Sequence, residues 1–578
     1  MSNQRSLASS PEDDRLTCFP YGVGQGAEGV CLLVQMGPHR ILLDCGLADI
    51  TPLQAEEHPP ADLVLCSHAH NDHAQGLLAL HQAFPHLPVY ASEETTTLLP
   101  LNWLPFTSGR MTGVHSQGRE AGESDREVNQ ADSTPEASVV ESKGASDIPQ
   151  FCQALPWYSP VELRDGLTAQ LFPAGHLPGA AAVLLAYTAP RKTYRLLYTG
   201  DFFLSNSRLV EGLSIEPLRG TQPDVVIVEG SYGTARHPHR RQQENQLVEL
   251  IEQAITSHKS VLLPVPTLGL GQEILMLLRS HHQFTGRNLD IWVDGTVAAA
   301  CDIYLELLPN LPTSVQNFAR HQPLFWDERV RPRVRRLDEQ NRCTIGEPPC
   351  IVITDESADL STYFHPDCGS QLVLLPEQPR YSVSPENGEQ HAIQTYSLAQ
   401  HSDYLGTTQL IHNLRPQHVI FFHGSPTYLA DLTGLEELQN RYHLHSPATG
   451  TLVELPIGEI FVQPAAPPPT NYEGELTELD TFVNINLPEA IIADPRWQDF
   501  ADTGLVEARW QGKELVLRGL SQRELLKESG NNRIPMNIDC CGICRHQRGQ
   551  RCWNPASPLY GFKVTPEGYC PVFETTPS

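Results

Sequence analysis

The stretch Ala61-Asp-Leu-Val-Leu-Cys-Ser-His-Ala-His-Asn-Asp-His73 decides the fold, because it joins a short apolar run to a dense group of possible metal ligands. The apolar run from Leu63 to Cys66 predicts a buried strand. Three imidazoles and a carboxylate follow it: His68, His70, Asp72 and His73. Imidazole suits zinc, and a carboxylate can bind a second ion or orient water. The spacing therefore predicts a binuclear metal site rather than a histidine-rich surface loop.

The same arrangement recurs along the chain, where apolar runs end on a possible ligand or acid. These terminal residues are Asp44, His176, Asp201, Glu229 and His423. His401 stands in Tyr396-Ser-Leu-Ala-Gln-His401-Ser-Asp403, ahead of a predicted helix. In layered α/β folds, ligands gather beyond the carboxyl ends of the strands. The pattern predicts that all these side chains share one site.

Together these residues resemble the motifs of the metallo-β-lactamase superfamily and, within it, of β-CASP nucleases such as ribonuclease J and the polyadenylation endonuclease. The matches run through superfamily motifs one to four and then β-CASP motifs A to C: Asp44, His68–His73, His176, Asp201, Glu229, His401 and His423. Histidine at motif C is the RNA-directed pattern, whereas the DNA-directed branch usually has valine. The resemblance covers about residues 16–460.

The resemblance implies an α/β fold: a metallo-β-lactamase αββα sandwich with an inserted β-CASP α/β domain and a small Cys-rich C-terminal domain. The predicted segments are a disordered N-terminus (1–15), the sandwich in two parts (16–206 and 394–462), the β-CASP domain (207–393), a linker (463–475) and the C-terminal domain (476–578). Residues 108–148 are poor in aromatics and rich in Ser, Glu, Gly and Asp, which predicts a disordered insertion in the sandwich.

The resemblance also implies a ligand set of two zinc ions. His68, His70 and His176 would hold one ion, while Asp72, His73 and His423 would hold the other. Asp201 would bridge the two. Iron is the competitor, but redox relatives typically carry glutamate at the position of His70, so zinc is the expected metal.

Four residues are candidates for catalytic roles: Asp44, Asp72, Glu229 and His401. Asp44 would orient a ligand or the attacking water. His401 would contact the phosphate or protonate the leaving oxygen; the alternative is a structural histidine near a helix start. Glu229 either fixes His401 or holds its turn.

Composition bounds the class of protein. The chain has 578 residues with 40% hydrophobic and 19% charged, typical of a multidomain globular protein. No apolar run approaches the roughly 20 residues of a membrane span, and residues 1–15 lack a signal-peptide core, so we expect a cytoplasmic protein. The net charge of −28 repels phosphate, so any contact with nucleic acid must rest on local positive patches and on the metals.

The C-terminal domain carries Cys541-x2-Cys544-x7-Cys552-x17-Cys570, with Cys540 as a possible substitute ligand. In a reducing compartment four such cysteines suit a structural zinc, an iron–sulfur cluster, or no ligand at all, and zinc is the first choice. Basic residues surround them: Arg545, His546, Arg548, Arg551 and Lys563. This group is either an RNA or partner surface or an ordinary solvated face.

The expected function is a zinc-dependent hydrolase, most simply a ribonuclease in RNA processing or decay. The resemblance implies RNA as a partner, and a homodimer or an RNA-processing complex as the assembly. The segment Leu268-Gly-Leu-Gly-Gln-Glu273 departs from the family's V-G-R-A-Q-E and lacks its arginine. This departure leaves two alternatives open: a hydrolase of a small ester, thioester or phosphodiester, and a non-catalytic RNA-processing scaffold.

Overall fold

The computed structural model describes residues 15–25, 28–55, 58–103, 151–337, 349–363, 371–377 and 392–458, with shorter segments at 476–479, 482–485, 506–511, 514–519, 544–548, 551–555, 557 and 564. The chain separates into two compact units, Met1–Ala466 and Pro467–Ser578. Three predicted segments lie outside the described residues: 1–15 except Arg15, the insertion 108–148, and the linker 463–475.

The first half of the sandwich is an antiparallel meander continued by parallel strands. Its strands are β1 (Leu16–Val23), β2 (Val30–Met36), β3 (His39–Leu43), β4 (Leu63–Leu65), β5 (Val89–Ser92) and β6 (Cys152–Leu155). Its helices are α1 (Asn71–Ala74), α2 (Leu77–Ala83) and α3 (Glu93–Leu98). Strands β3 to β6 pair in parallel, so their carboxyl ends share one edge.

The second half begins with four antiparallel strands and one parallel strand. These are β7 (Val161–Arg164), β8 (Leu167–Pro173), β9 (Ala181–Thr188), β10 (Thr193–Tyr198) and β11 (Val225–Glu229), with α4 (Glu216–Arg219) before β11. Strand β11 lies inside the range predicted for the inserted domain, 207–393, yet it pairs with β10. The predicted start at 207 therefore precedes the last strand that the chain adds to the sandwich before leaving it.

The inserted unit is a separate six-stranded parallel sheet flanked by helices. Its elements are α5 (Arg240–Thr256), β12 (Ser260–Val265), α6 (Leu270–Ser280), β13 (Asp290–Val293), α7 (Gly295–Glu306), α8 (Thr313–His321), β14 (Arg333–Arg336), β15 (Ile351–Asp355), β16 (Gln371–Pro376) and β17 (Ala392–Tyr396). The strand order is β14-β13-β15-β12-β16-β17. Its four inner strands, β13, β15, β12 and β16, are mainly apolar, as expected for a parallel sheet covered on both faces, whereas the edge strands β14 and β17 are more polar.

The chain then returns to both sheets of the sandwich. The returning elements are α9 (Tyr404–Leu414), β18 (His418–Phe422), α10 (Pro426–Thr433), α11 (Glu436–Gln439), β19 (His443–His445) and β20 (Val453–Glu454). Strand β18 pairs in parallel with β11, and β20 pairs with β1. The two seven-stranded sheets have the orders β20-β1-β2-β3-β4-β5-β6 and β19-β18-β11-β10-β9-β8-β7.

Alternation along the central strands sorts the core into layers. On β4, Leu63 and Leu65 pack between the two sheets, whereas Val64 packs with the outer helices. On β18, Ile420 faces the other sheet and Phe421 faces outward. Because side chains on a strand alternate between faces, strands that are apolar at every position require cover on both sides. The result is the predicted αββα sandwich.

The second unit is described only as three antiparallel ribbons. They pair β21 (Leu476–Leu479) with β22 (Phe482–Ile485), β23 (Val506–Gln511) with β24 (Glu514–Gly519), and β25 (Gln547–Arg548) with β26 (Arg551–Cys552). Short 3-10 helices in the first unit cover Thr51–Gln54, Leu99–Trp103, Leu308–Asn310 and Leu360–Tyr363. Among the described residues, no helix has the length and apolarity needed to cross a membrane.

Candidate metal centre

The predicted site residues meet at one edge of the sandwich, just beyond the ends of β3, β4, β8, β10, β11 and β18. Each of these strands runs toward that edge, so the residue or loop that follows it enters the same volume. The side chains brought together are Asp44, His68, His70, Asp72, His73, His176, Asp201, Glu229, His401 and His423. Most are almost fully buried, while His401 and Asp72 keep side-chain exposures of 19% and 33%.

The first ligand group consists of His68, His70 and His176, next to Asp201. His70 Nδ1 lies 3.2 Å from His68 Nε2 and 3.0 Å from His176 Nε2. Asp201 Oδ2 lies 3.6 Å from His68 Nε2 and 3.8 Å from His176 Nε2. Three imidazole nitrogens and one carboxylate oxygen thus point at a common centre.

The second ligand group consists of Asp72, His73 and His423. His423 Nε2 is 3.3 Å from Asp72 Oδ2 and 3.3 Å from Asp201 Oδ2. The other oxygen of Asp201, Oδ1, is 3.4 Å from His73 Nε2. Asp201 therefore stands between the two groups, with an oxygen close to each.

The chemistry of this donor set fits metal ions. His73 Nε2 and Asp201 Oδ1 are buried without a hydrogen-bond partner among the described residues, which is costly unless an ion satisfies them. Burial, reinforced by neighbouring imidazoles, holds the pKa of His68 and of His176 well below the ordinary histidine value. Both rings are therefore neutral at pH 7, the form that binds a metal.

A buried carboxylate fixes His73. Asp44 Oδ2 accepts a hydrogen bond from His73 Nδ1 at 2.6 Å and another from the Tyr198 hydroxyl at 2.5 Å. Ser67 donates to Asp44 through its amide and its hydroxyl. Burial lowers the pKa of His73, but the carboxylates of Asp201 and Asp44 outweigh it and raise that pKa well above the ordinary value. Such a carboxylate–imidazole pair sets which nitrogen faces a metal.

Local backbone conformation makes this packing possible. Asp44 and His423, which follow β3 and β18, have φ values of 59° and 54° in the left-handed region that few non-glycine residues adopt. Gly46 packs against the loop of the ligands so closely that a Cβ there would lie 1.7 Å from the Asp72 carbonyl oxygen. Only glycine fits, and the loop carrying Asp72 and His73 is thereby seated against β3.

A network built on Glu229 supports His423 and His401. Ser231 Oγ lies 2.5 Å from Glu229 Oε2 and 2.7 Å from His423 Nδ1. His401 Nδ1 lies 2.9 Å from Glu229 Oε2. Burial raises the pKa of Glu229 although His401 opposes the shift. The geometry fits both roles open to Glu229, because its carboxylate contacts His401 and also accepts the Phe202 amide at 2.6 Å.

Two backbone carbonyls outside the sandwich strands contact the first ligand group. The Leu268 carbonyl oxygen, in the inserted unit before α6, lies 3.3 Å from His70 Nε2. The Gln400 carbonyl oxygen, on the segment that leads back from β17, lies 2.8 Å from His176 Nδ1. The inserted unit thus reaches the metal centre directly.

Sequence reasoning missed four residues of this site: Ser67, Tyr198, Ser231 and Gln400. Ser231 stands two positions after Glu229, so an i, i+2 hydroxyl was the available signal. Tyr198 ends β10 with its ring directed between the sheets, which its alternation with Leu196 indicates. Gln400 acts through its backbone, so its residue type carries no signal. Of the predicted C-terminal ligands, Cys541 and Cys570 lie outside the described residues.

The fold and the site define a metallo-β-lactamase-type protein with a histidine–aspartate centre that can bind metal. Residues 39–148 match a family model described as the beta-lactamase superfamily domain. An uncharacterized protein of Synechocystis sp. is 48% identical, over 97% of both chains.

More distant relatives have informative names. An RNase J-like protein of Methanocaldococcus jannaschii is 23% identical over 56% of this chain and 67% of its own length. Cleavage and polyadenylation specificity factor 73 of Drosophila melanogaster is 22% identical over 73% of this chain, which spans 61% of that protein. The chain belongs to the metallo-β-lactamase superfamily and, within it, to the β-CASP family.

Proposed function

We propose that this protein is a binuclear zinc ribonuclease that hydrolyses RNA phosphodiester bonds in RNA processing or decay. The observation that carries the proposal is a complete pair of ligand groups sharing Asp201, with His401 beside them on Glu229. No ligand predicted from the resemblance is displaced from the centre, which argues against a non-catalytic scaffold. The names of the β-CASP relatives support RNA as the substrate.

The two zinc ions, when bound, would lower the pKa of a bound water from about 15.7 towards 7 and neutralise charge on the phosphodiester oxygens. His68, His70 and His176 would hold one ion, Asp72, His73 and His423 the other, and Asp201 both. Asp44 keeps the Nδ1 proton of His73 engaged, so that Nε2 faces the centre. Burial strengthens the electrostatic contacts among the buried members of the set, which are His68, His73, His176, Asp201 and His423.

His401 is the imidazole through which the chain would handle the leaving oxygen. Its side chain is 19% exposed, whereas that of His423 is 1% exposed, and the Glu229 carboxylate accepts its Nδ1–H. That hydrogen bond orients the ring beside the two ligand groups. A proton held on His401 can be delivered to the departing ribose oxygen, or its positive charge can bind the phosphate.

The first test is cleavage of an end-labelled, 5′-monophosphorylated RNA by the full-length protein. Asp72→Ala/His73→Ala removes two ligands of the second group. Asp49→Ala/His58→Ala is the matched control, because both of its residues are exposed and lie outside the centre. We expect cleavage by the wild type and the control only, and the product lengths then distinguish endonuclease from 5′ exonuclease action. Intact RNA in a wild-type sample that contains two zinc ions per centre would refute the ribonuclease.

A small ester, thioester or phosphodiester is the second candidate substrate class. The observation that favours it is the segment Leu268–Glu273, whose Leu268 carbonyl contacts His70 and whose buried Leu270 stands where the family has an arginine. Bis(p-nitrophenyl) phosphate and a thioester, assayed beside RNA, decide between the two. Turnover of a small substrate with RNA left intact would assign this second function.

We also propose a structural zinc at Cys541, Cys544, Cys552 and Cys570, with an iron–sulfur cluster as the competing occupant. The ribbon β25–β26 brings Cys544 and Cys552 to one end, since the Gln547 amide bonds the Cys544 carbonyl and Gln547 pairs with Cys552. Metal analysis of aerobically and anaerobically purified protein distinguishes three zinc ions per chain from two zinc ions plus iron. A cytoplasmic RNA-processing complex or a homodimer is the proposed setting, which crosslinking and mass measurement would test.

A further inference from the structure

The ribbon β25–β26 and its flanks form a basic surface in an otherwise acidic protein. Residues 540–566 contain no Asp or Glu, although the chain has 68 acidic residues in 578. The same window contains Arg545, Arg548, Arg551 and Lys563. A positive field therefore persists here while most of the chain repels polyanions. We call Arg545, Arg548, Arg551 and Trp553 the basic ribbon.

The basic ribbon has one buried and one exposed face. Along β26 and the residues after it, Arg551 and Trp553 are exposed, whereas Cys552 and Asn554 are buried. This alternation places Arg551 and Trp553 on the same side, as expected for positions i and i+2 of a strand. Trp553 keeps 45% of its surface exposed, which is unusual for the largest apolar side chain.

The pairing of the ribbon sets like charges against each other. Arg548 lies directly opposite Arg551 in the antiparallel register. Directly opposed residues share one face of a ribbon, so two exposed arginines stand side by side on that face, which favours the binding of an anion there. Arg545, also exposed, extends the positive charge along the chain.

We propose that the basic ribbon binds single-stranded RNA. Arginine binds phosphate through paired hydrogen bonds, and an exposed tryptophan offers a platform on which an unpaired base can stack. Duplex RNA hides those base faces, so a single strand is the better match. An acidic protein segment would match the positive charge, but it offers no base to stack on the exposed face of Trp553. The biological role of this RNA binding rests on the proposed ribonuclease function, but the binding itself is measured in a separate assay.

The test uses full-length protein carrying Asp72→Asn, which we expect to bind RNA without cleaving it. Fluorescence anisotropy with a labelled 12-nucleotide single-stranded RNA gives the dissociation constant at several salt concentrations. Arg548→Glu/Arg551→Glu should weaken binding at least tenfold and reduce the salt slope by about 1.4, from two phosphates at about 0.7 each. Trp553→Ala should weaken binding about tenfold, and Trp553→Phe should restore most of it.

The matched control is Arg320→Glu/Arg329→Glu, which makes the same charge change at two exposed arginines of the first unit. An equal loss in this control would attribute the effect to net charge and overturn the proposal. Competition by polyglutamate that depends on the arginines but not on Trp553 would also overturn it, in favour of an acidic protein partner. If circular dichroism shows that Trp553→Ala is misfolded, Trp553→Phe and Arg548→Lys/Arg551→Lys replace it in the assay. Both variants are expected to retain RNA binding, and loss of binding in both would overturn the proposal.

Cleavage assays separate this proposal from the ribonuclease itself. In a wild-type background the basic-ribbon variants should hydrolyse bis(p-nitrophenyl) phosphate at the unaltered rate while losing RNA affinity. Tight RNA binding without any hydrolysis would refute the ribonuclease and leave the basic ribbon in place. RNA cleavage with unchanged RNA affinity in every ribbon variant would support the ribonuclease and refute RNA binding by the basic ribbon.

Discussion

The two ligand groups of the candidate metal centre are held by different parts of the molecule. In the second group, His73 is fixed by Asp44 and His423 by Ser231, both of which belong to the loops and strand ends of the sandwich. In the first group, His70 and His176 meet the carbonyl oxygens of Leu268 and Gln400, which lie on the inserted unit and the segment leaving it. The second group is therefore set by the sandwich alone, whereas the first depends on how the inserted unit is seated.

Replacing Asp44 should produce the largest effect on the second group. Asp44→Asn tolerates the left-handed backbone but turns an acceptor of buried N–H and O–H donors into a partial donor. We expect the metal affinity of the second group to fall about 10- to 100-fold, the usual result of losing an outer partner. Isothermal titration with zinc measures it, and Asp49→Asn, at an exposed site, is the control. Two unaltered zinc affinities would show that the carboxylate does not orient His73.

Removing the hydroxyl of Ser231 should have a smaller effect on the same group. Ser231→Ala leaves His423 Nδ1 and Glu229 without their common partner, so the ring gains freedom. We expect a roughly tenfold loss of zinc affinity at this position. Ser205→Ala, an exposed serine, should change nothing. A role in folding alone is distinguished by chelator competition on the folded variant, which would then match the wild type.

Loosening the inserted unit should affect only the first group. Gln243 on α5 accepts the Ala399 amide at 2.6 Å and donates to the Pro238 carbonyl, so it pins the segment that carries Gln400. Gln243→Ala leaves these buried groups unsatisfied at a cost of about 1–3 kcal/mol. We expect faster amide exchange over residues 397–402 and a several-fold loss of affinity for one zinc ion, with Gln242→Ala as the exposed control. Equal weakening of both zinc ions would remove the distinction between the groups.

The smallest effect should come from acid, at the end of the second sheet away from the metal centre. His418 Nδ1 lies 3.0 Å from His445 Nε2, the His443 ring is tilted 5.1 Å from the His418 ring, and Asp224 lies near His418. Burial, with the neighbouring imidazoles, lowers the pKa of His445 to about 4. Between about pH 4 and 6.5 the folded state binds fewer protons at His445 than the unfolded chain does. The contribution of neutral His445 to the free energy of unfolding is therefore complete above about pH 6.5 and is lost as the pH falls from about 6.5 towards 4.

His445→Gln should therefore flatten the decrease in unfolding temperature over that pH range without changing the zinc content. His58→Gln, at an exposed histidine, should retain the wild-type dependence. An identical pH profile in His445→Gln would place the acid sensitivity elsewhere.

Much of the candidate site was predictable, because its candidate ligands lie close together in the sequence or directly follow apolar runs. The residues from His68 to His73 follow a strand too short and too apolar to be anything but buried, and the other ligands also end apolar runs. Because ligands gather beyond the carboxyl ends of the strands in layered α/β folds, the pattern predicted that these side chains share one site. The start of the inserted unit was harder to predict, because the sequence of β11 resembles that of the parallel strands in the inserted sheet. Only its pairing with β10 and β18 shows that β11 belongs to the sandwich.

The sequence by itself determined the candidate ligands, because apolar runs that end on His or Asp depend only on neighbours in the chain, while the fold family and the αββα layers followed from the resemblance of these motifs to the metallo-β-lactamase superfamily. Only the tertiary structure decided what holds those ligands in place. Tyr198 on Asp44, Ser231 on His423 and the two backbone carbonyls on His70 and His176 are contacts between segments far apart in the chain. Such contacts depend on how the sheets and the inserted elements pack. Every residue has a backbone carbonyl, so no residue type in the sequence indicates which carbonyl will contact a ligand.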